Sequence, residues 1–157
     1  MIRLYRLLSR RFAADPFGGE GSFRFGGRWS SPGTRLAYAS EHQSLAMLEF
    51  LAHLQPGDDP DDLALAVAGV PDSVTREHVR PASLPGNWRE AAAPAALARL
   101  GDDFARRVHT CLLFVPSALA PRERNCLINP AHPDFARIRI RPLEPFAFDL
   151  RLSRGRG

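Results

Sequence analysis

Residues 40–55, SEHQSLAMLEFLAHLQ, constrain the fold more than any other stretch of the chain. Ser40 and Gln43 have capping-box spacing, and Glu41 adds negative charge to the first turn. Pro56-Gly57 ends the run, so a helix from Ser40 to about Gln55 is expected. At about 100° per residue, Leu45, Ala46, Met47, Leu48, Phe50, Leu51, Ala52 and Leu54 point in nearly every direction. A helix that is apolar all round belongs in an interior. One sector, about 40° wide on this projection, breaks the pattern with His42, Glu49 and His53. Glu49 and His53 are i,i+4 neighbours. A buried carboxylate is costly unless it is paired or faces a wet cleft. The sector therefore opens on a pocket or pairs Glu49 with an arginine, unless it is simply the solvent face of the helix.

The chain has 157 residues, 45% of them apolar, which suits one globular domain with its own core. No apolar run approaches the ~20 residues of a membrane span. The start, MIRLYRLLSRRF, spreads charge where a signal peptide needs an apolar core. Cys111 and Cys126 make no disulfide framework, so a reducing cytoplasm is expected. All 21 basic residues are arginines, and seven lie in the first 35 residues against Asp15 and Glu20. That excess suggests an anionic ligand or a solvated basic face.

Around the helix the reading is coarse. Residues 2–8, 35–39, 63–70, 109–115, 137–141 and 146–150 are expected as strands. Residues 91–107 are expected as a second helix, interrupted or bent near Gly101. Residues 15–35, 71–90 and 116–134 read as loops, with an acidic turn at 58–62. Strands mixed with two helices, without regular βαβ alternation, imply an α+β fold. The domain spans 1–152, and 153–157 is expected as a mobile tail.

The 15–35 loop holds Phe23, Phe25 and Trp29, aromatic area that argues against disorder. Within FGGRW, Gly26-Gly27 lets backbone approach a ligand, and Arg28 could grip a phosphate or be a structural arginine in a turn. Tyr38 could stack on a planar ring and offer a hydroxyl, or belong to the core. Ser117, after the 109–115 strand, could donate to a ligand or make a turn bond. No nucleotide-binding glycine fingerprint or GxSxG elbow occurs. His109, Cys111 and His132 lack metal-ligand spacing, so no metal is expected. Arg137, Arg139 and Arg141 carry no nucleic-acid motif, which makes direct nucleic-acid binding a minor alternative.

The order FGGRWSSPGTRLAYAS, SLAMLEFLAHL, a tryptophan at 88, LLFVPSALAPRERNCLINPAHPDF and PFAFDLRL resembles the RES-domain family, from about Tyr5 to Leu152. The arginine, glutamate and serine that name the family match Arg28, Glu49 and Ser117. Ser30 departs from the asparagine common after RW, which touches ligand preference. The resemblance implies an ADP-ribosyltransferase-like fold with a mixed or split sheet and flanking helices. It implies a bacterial toxin that consumes NAD+ by hydrolysis or phosphorolysis, or transfers ADP-ribose to a protein. It implies a site of Arg28, Tyr38, Glu49 and Ser117, with His53 a weaker match. NAD+ is then the substrate, with no cofactor or metal. The implied partner is a helix-turn-helix, Xre-type antitoxin, in a hetero-oligomer.

Overall fold

A computed structural model describes residues 1–54 and 61–152. Eight strands form one sheet: β1 Ile2–Ser9, β2 Ala37–Ser40, β3 Leu63–Val70, β4 Arg76–His78, β5 Leu112–Pro116, β6 Arg124–Ile128, β7 Arg139–Ile140 and β8 Glu144–Phe146. Three α-helices accompany them: α1 Glu20–Phe25, α2 Gln43–His53 and α3 Ala95–Arg107. The strand order is β4-β5-β6-β2-β1-β3-β7, with β8 also pairing β3. All named pairs are antiparallel except β4–β5, which α3 links as a parallel crossover. The expected α+β class holds.

LALAVAGV becomes β3, buried at every position, because small and branched side chains pack on both of its faces. It pairs β1 along its whole length, Ile2 opposite Val70 and Ser9 opposite Leu63. Leu97, Gly101 and Phe104 form the buried stripe of α3 at helical spacing. They pack with Trp29, Leu36, Leu113 and Leu127. The expected bend at Gly101 is absent. A Cβ there would lie 1.6 Å from the Trp29 carbonyl oxygen, so the glycine serves close packing, not flexibility.

The helix at 43–53 corrects two expectations. Ser40 is the last residue of β2, and its hydroxyl goes to Asn125 instead of capping the helix. His42 is the N-cap and makes no side-chain cap bond. Nor is α2 an interior helix: only Leu45 and Ala46 are buried, and Leu48 is 49% exposed. It lies on the sheet, pressing Met47 and Phe50 onto Leu7, Leu63, Leu65 and Val67, and a helix on a sheet buries one side only. The helix ends at His53. Its expected end at Gln55, the Pro56-Gly57 stop and most of the acidic turn fall outside the described residues, as does the tail 153–157.

The supposed loops hold three further elements. Residues 20–25 form α1, with glycines 19 and 26 at its ends in positive-φ conformations. β4 forms on the edge of the sheet within 71–90, and β6 within 116–134. The seventh strand is shorter than expected. Residues 133–137 form a 3-10 turn, leaving only 139–140 as β7. The expected strand at 146–150 is displaced: β8 covers Glu144–Phe146 and shares only Phe146 with it, while Leu150–Leu152 form a 3-10 turn.

Candidate active site

β6 lies between β5 and β2, and α2 follows β2 after two residues. That order brings Ser117, Asn125, Ser40 and Glu49 together. Ser117 sits in the turn after β5, fully buried. Its Oγ accepts the Leu119 and Ala120 N–H groups at 3.2 and 3.1 Å, so its single proton is directed to Glu49 Oε1, 2.7 Å away. Asn125 Nδ2 donates to the same Oε1 at 2.6 Å. Asn125 Oδ1 accepts from Ser40 Oγ at 2.7 Å, which fixes the amide orientation. The carboxylate is thus clamped through one oxygen.

Glu49 lines a cavity of about 340 Å³, within the range of small-molecule sites. Glu49 therefore opens on a pocket, and no arginine pairs with it among the described residues, while His42 and His53 of the same sector are largely solvent-exposed. The sector is split, however. His53 lines the mouth with its ring 67% exposed, and its Nδ1 bonds the Glu49 backbone oxygen at 2.7 Å. His42 points elsewhere, with its Nδ1 3.4 Å from Glu123.

Another wall of the cavity comes from the FGGRW loop. Tyr38 on β2 holds it: the Trp29 N–H donates to the phenol oxygen at 3.0 Å, and the Ser30 hydroxyl lies 2.7 Å from it. Burial pushes the phenol up to about 12, so it stays neutral. A Cβ on Gly27 would lie 2.7 Å from that oxygen, so the loop closes over Tyr38 only with glycine there. Tyr38 lines the cavity, and its hydroxyl is bonded to the loop through the Trp29 N–H and the Ser30 hydroxyl. Ser30 is buried beneath the loop and does not face the cavity. Asp102 on α3 accepts the Ser31 N–H at 2.8 Å and ties the same loop to the helix. Arg28 lines the cavity while its Nη1 donates to the carbonyls of Trp88 and Glu90 at 3.0 and 2.9 Å. Its Nε and Nη2 carry no bond among the described residues.

The sequence reading missed Arg6. Arg6 on β1 lines the cavity, and its Nη1 donates to the Tyr38 carbonyl at 3.1 Å. Its Nε is buried without a partner among the described residues. Burial pulls the guanidinium down to about 10, so it remains cationic at neutral pH. A buried guanidinium edge without an acceptor is costly. Asn125 also went unnoticed. Phe25, 71% exposed, lines the mouth beside Gly26. Thus Arg28, Tyr38, Glu49 and His53 share one cavity, and Ser117 reaches it by gripping Glu49. Among the described residues no cluster of three His, Cys, Asp or Glu side chains is placed to hold a metal. Nor is any helix long and apolar enough to cross a membrane.

Comparison with known proteins places the chain. The RES domain model matches residues 3–149. A Prs ADP-ribosylating toxin of Sphingobium sp. is 37% identical over 148 residues, covering 93% of this chain and 92% of that protein. A protein named Toxin Res from Yersinia enterocolitica is 37% identical over 154 residues, covering 97% of this chain and all of its own length, 100%. Among solved structures, a chain of the M. tuberculosis MbcT–MbcA toxin–antitoxin complex superposes with a TM-score of 0.72 at 18% identity, covering 93% of this chain and 84% of that one. That likeness shows a shared fold, in keeping with the ADP-ribosyltransferase-like α+β expectation. This chain belongs to the RES domain family.

Proposed function

We propose that the protein is a toxin enzyme that consumes NAD+ by cleaving the bond between nicotinamide and ribose. The observation that carries this is one cavity with a carboxylate clamped on one wall and two incompletely bonded arginines among the groups facing it. NAD+ has the complementary charges: an anionic pyrophosphate, and a ribose that becomes cationic as the glycosidic bond breaks.

Glu49 faces the ribose. With Oε1 held by Ser117 and Asn125, its other oxygen, 3.9 Å from His53 Nδ1, stabilises the oxocarbenium ion and binds a ribose hydroxyl. Arg6 and Arg28, which both line the cavity, take the pyrophosphate. Tyr38 positions the arginine loop and offers its ring to the nicotinamide end. His53 borders the entrance. As the C–N bond breaks, its electron pair leaves with nicotinamide, which departs neutral. The acceptor oxygen then bonds the anomeric carbon and gives up its proton. Water yields ADP-ribose, and inorganic phosphate yields its 1″-phosphate.

A second reading is mono-ADP-ribosylation of a cellular protein through the same site. It is favoured by the Prs ADP-ribosylating toxin at 37% identity. In either reading the protein works in the cytoplasm and is neutralised by a helix-turn-helix antitoxin of Xre type in a hetero-oligomer. The fold shared with a toxin–antitoxin complex supports such a partner.

The test is product analysis of NAD+ incubated with antitoxin-free protein, with and without phosphate, beside a Glu49→Gln control. Nicotinamide release that depends on Glu49 is expected, and the second product names the acceptor. Folded protein that releases no nicotinamide, with water, phosphate or cell extract as acceptor, overturns both readings.

A further inference from the structure

A second cavity, about 620 Å³, opens between the start of β1 and the β4 edge of the sheet. The NAD+ reading leaves it without a role. Arg3, Arg76 and Arg124 line it with His42 and His78, against one carboxylate, Glu41. Its floor is aromatic: the His78 ring stacks on Phe114 with centroids 4.8 Å apart and planes 12° apart. The Arg124 guanidinium lies 5.2 Å from the centre of the same Phe114 ring.

Hydrogen-bond arithmetic gives the cleft its character. Arg124 donates through Nε and Nη2 to Glu41 Oε2 at 3.2 and 3.1 Å, and its backbone N–H reaches Oε1 at 3.0 Å. The one acidic side chain is therefore engaged. Arg124 Nη1 lies 2.9 Å from His78 Nδ1. A guanidinium only donates, so Nδ1 accepts and Nε2 carries the ring proton. Burial, with Arg124 and Arg76 nearby, lowers the His78 pKa, in keeping with this neutral tautomer. Arg76 uses Nε and Nη2 on the Val74 and Pro71 carbonyls, leaving Nη1 without a partner among the described residues. The exposed Arg3 side chain makes no bond among the described residues. What remains open in the cleft is chiefly donors: His78 Nε2–H, Arg76 Nη1 and the Arg3 fork. Such a set lacks an acceptor, and a tetrahedral oxyanion presents several.

We propose that this cleft is a phosphate-binding site, separate from the Glu49 cavity, for inorganic phosphate or the phosphate of a small nucleotide. It adjoins the Glu49 clamp in sequence and space. Glu41 and Arg124 directly follow and precede Ser40 and Asn125, and Tyr5 lines both cavities. The site does not depend on the NAD+ reading, and its test does not use turnover.

The full chain is titrated with inorganic phosphate, then with AMP, while the His78 imidazole is followed by NMR. Chloride at matched ionic strength is the control, and His78→Gln identifies the signal. Saturable movement of the His78 resonance with phosphate is expected. Arg3→Glu, at an exposed position that keeps the fold, should weaken it at least tenfold. AMP binding more tightly than phosphate at His78 names a nucleotide as the source; equal affinity names free phosphate. No movement, movement matched by chloride, indifference to Arg3→Glu, or movement with duplex DNA alone each overturns the proposal.

Discussion

The two walls of the Glu49 cavity are finished to different degrees. On the carboxylate wall, Glu49 Oε1 has two donors, and Ser117 and Asn125 are each bonded on their own far sides. On the arginine wall, Arg6 has a buried Nε with no partner among the described residues, and Arg28 is anchored through one nitrogen. The first wall has its polar groups matched within the protein, whereas the second keeps donors unmatched among the described residues. Electrostatic catalysis needs the first kind of group, fixed before charge develops. Ligand capture uses the second kind, where an unmet donor makes the empty state costly.

Glu49→Gln attacks the finished wall most directly. It keeps shape and removes charge, and turnover should fall at least ~100-fold, the scale of losing one electrostatic stabiliser. Binding of NAD+, followed by calorimetry, should change far less. Near-normal turnover would remove Glu49 from the chemistry and, with it, the contrast between the walls.

Arg6→Met tests the unfinished wall. The Michaelis constant for NAD+ should rise roughly 10- to 100-fold, the range of a lost charged hydrogen bond. The thermal midpoint should stay level or rise. The lost bond to the Tyr38 carbonyl is offset by no longer burying an incompletely bonded charge. A large loss of stability with an unchanged Michaelis constant would make Arg6 a structural residue.

Ser117→Ala should show the opposite pattern. It strips Glu49 of one donor and leaves the Leu119 and Ala120 N–H groups without their acceptor. Stability should fall by about 1–3 kcal/mol. Turnover should fall about tenfold, with little change in the Michaelis constant, because Asn125 still holds Oε1. Thermal melts and steady-state kinetics on Arg6→Met and Ser117→Ala together decide whether the walls differ as described.

How much of this was legible in sequence follows from how local each cause is. β3 was readable because LALAVAGV is apolar throughout and β1 covers it residue for residue. Glu49 was readable because a carboxylate interrupts an otherwise apolar helix. The helix cap was misread because Ser40 satisfies a local pattern, yet its hydroxyl is taken by Asn125, a partner 85 residues away. β4 and β6 were missed because Arg76–His78 and Arg124–Ile128 begin polar amid proline-rich sequence, and neighbouring strands stabilise them. Arg6 was hidden among seven N-terminal arginines. Only the packing around it makes its guanidinium edge unusual. Gly101 read as a weak point of α3, because the Trp29 carbonyl it accommodates lies 72 positions earlier.

Phe25 gives the smallest effect and the finest discrimination. Two neighbouring rings on α1 are both exposed, Phe23 at 40% and Phe25 at 71%. Phe23 is covered by the Arg35 guanidinium, 4.1 Å from its ring centre, and does not line the cavity. Phe25 lines the mouth, where a planar base entering the cavity would cover its ring. Aromatic stacking is worth about 0.5–1.5 kcal/mol, roughly a two- to tenfold change in affinity. Phe25→Ala should therefore raise the Michaelis constant for NAD+ by about that factor, leaving turnover and the thermal midpoint in place. Phe23→Ala should leave the Michaelis constant untouched. If both substitutions act alike, the rings are merely surface residues of α1. If only Phe25→Ala acts, the arginine wall extends to the mouth, and ligand capture there uses an open ring as well as open donors.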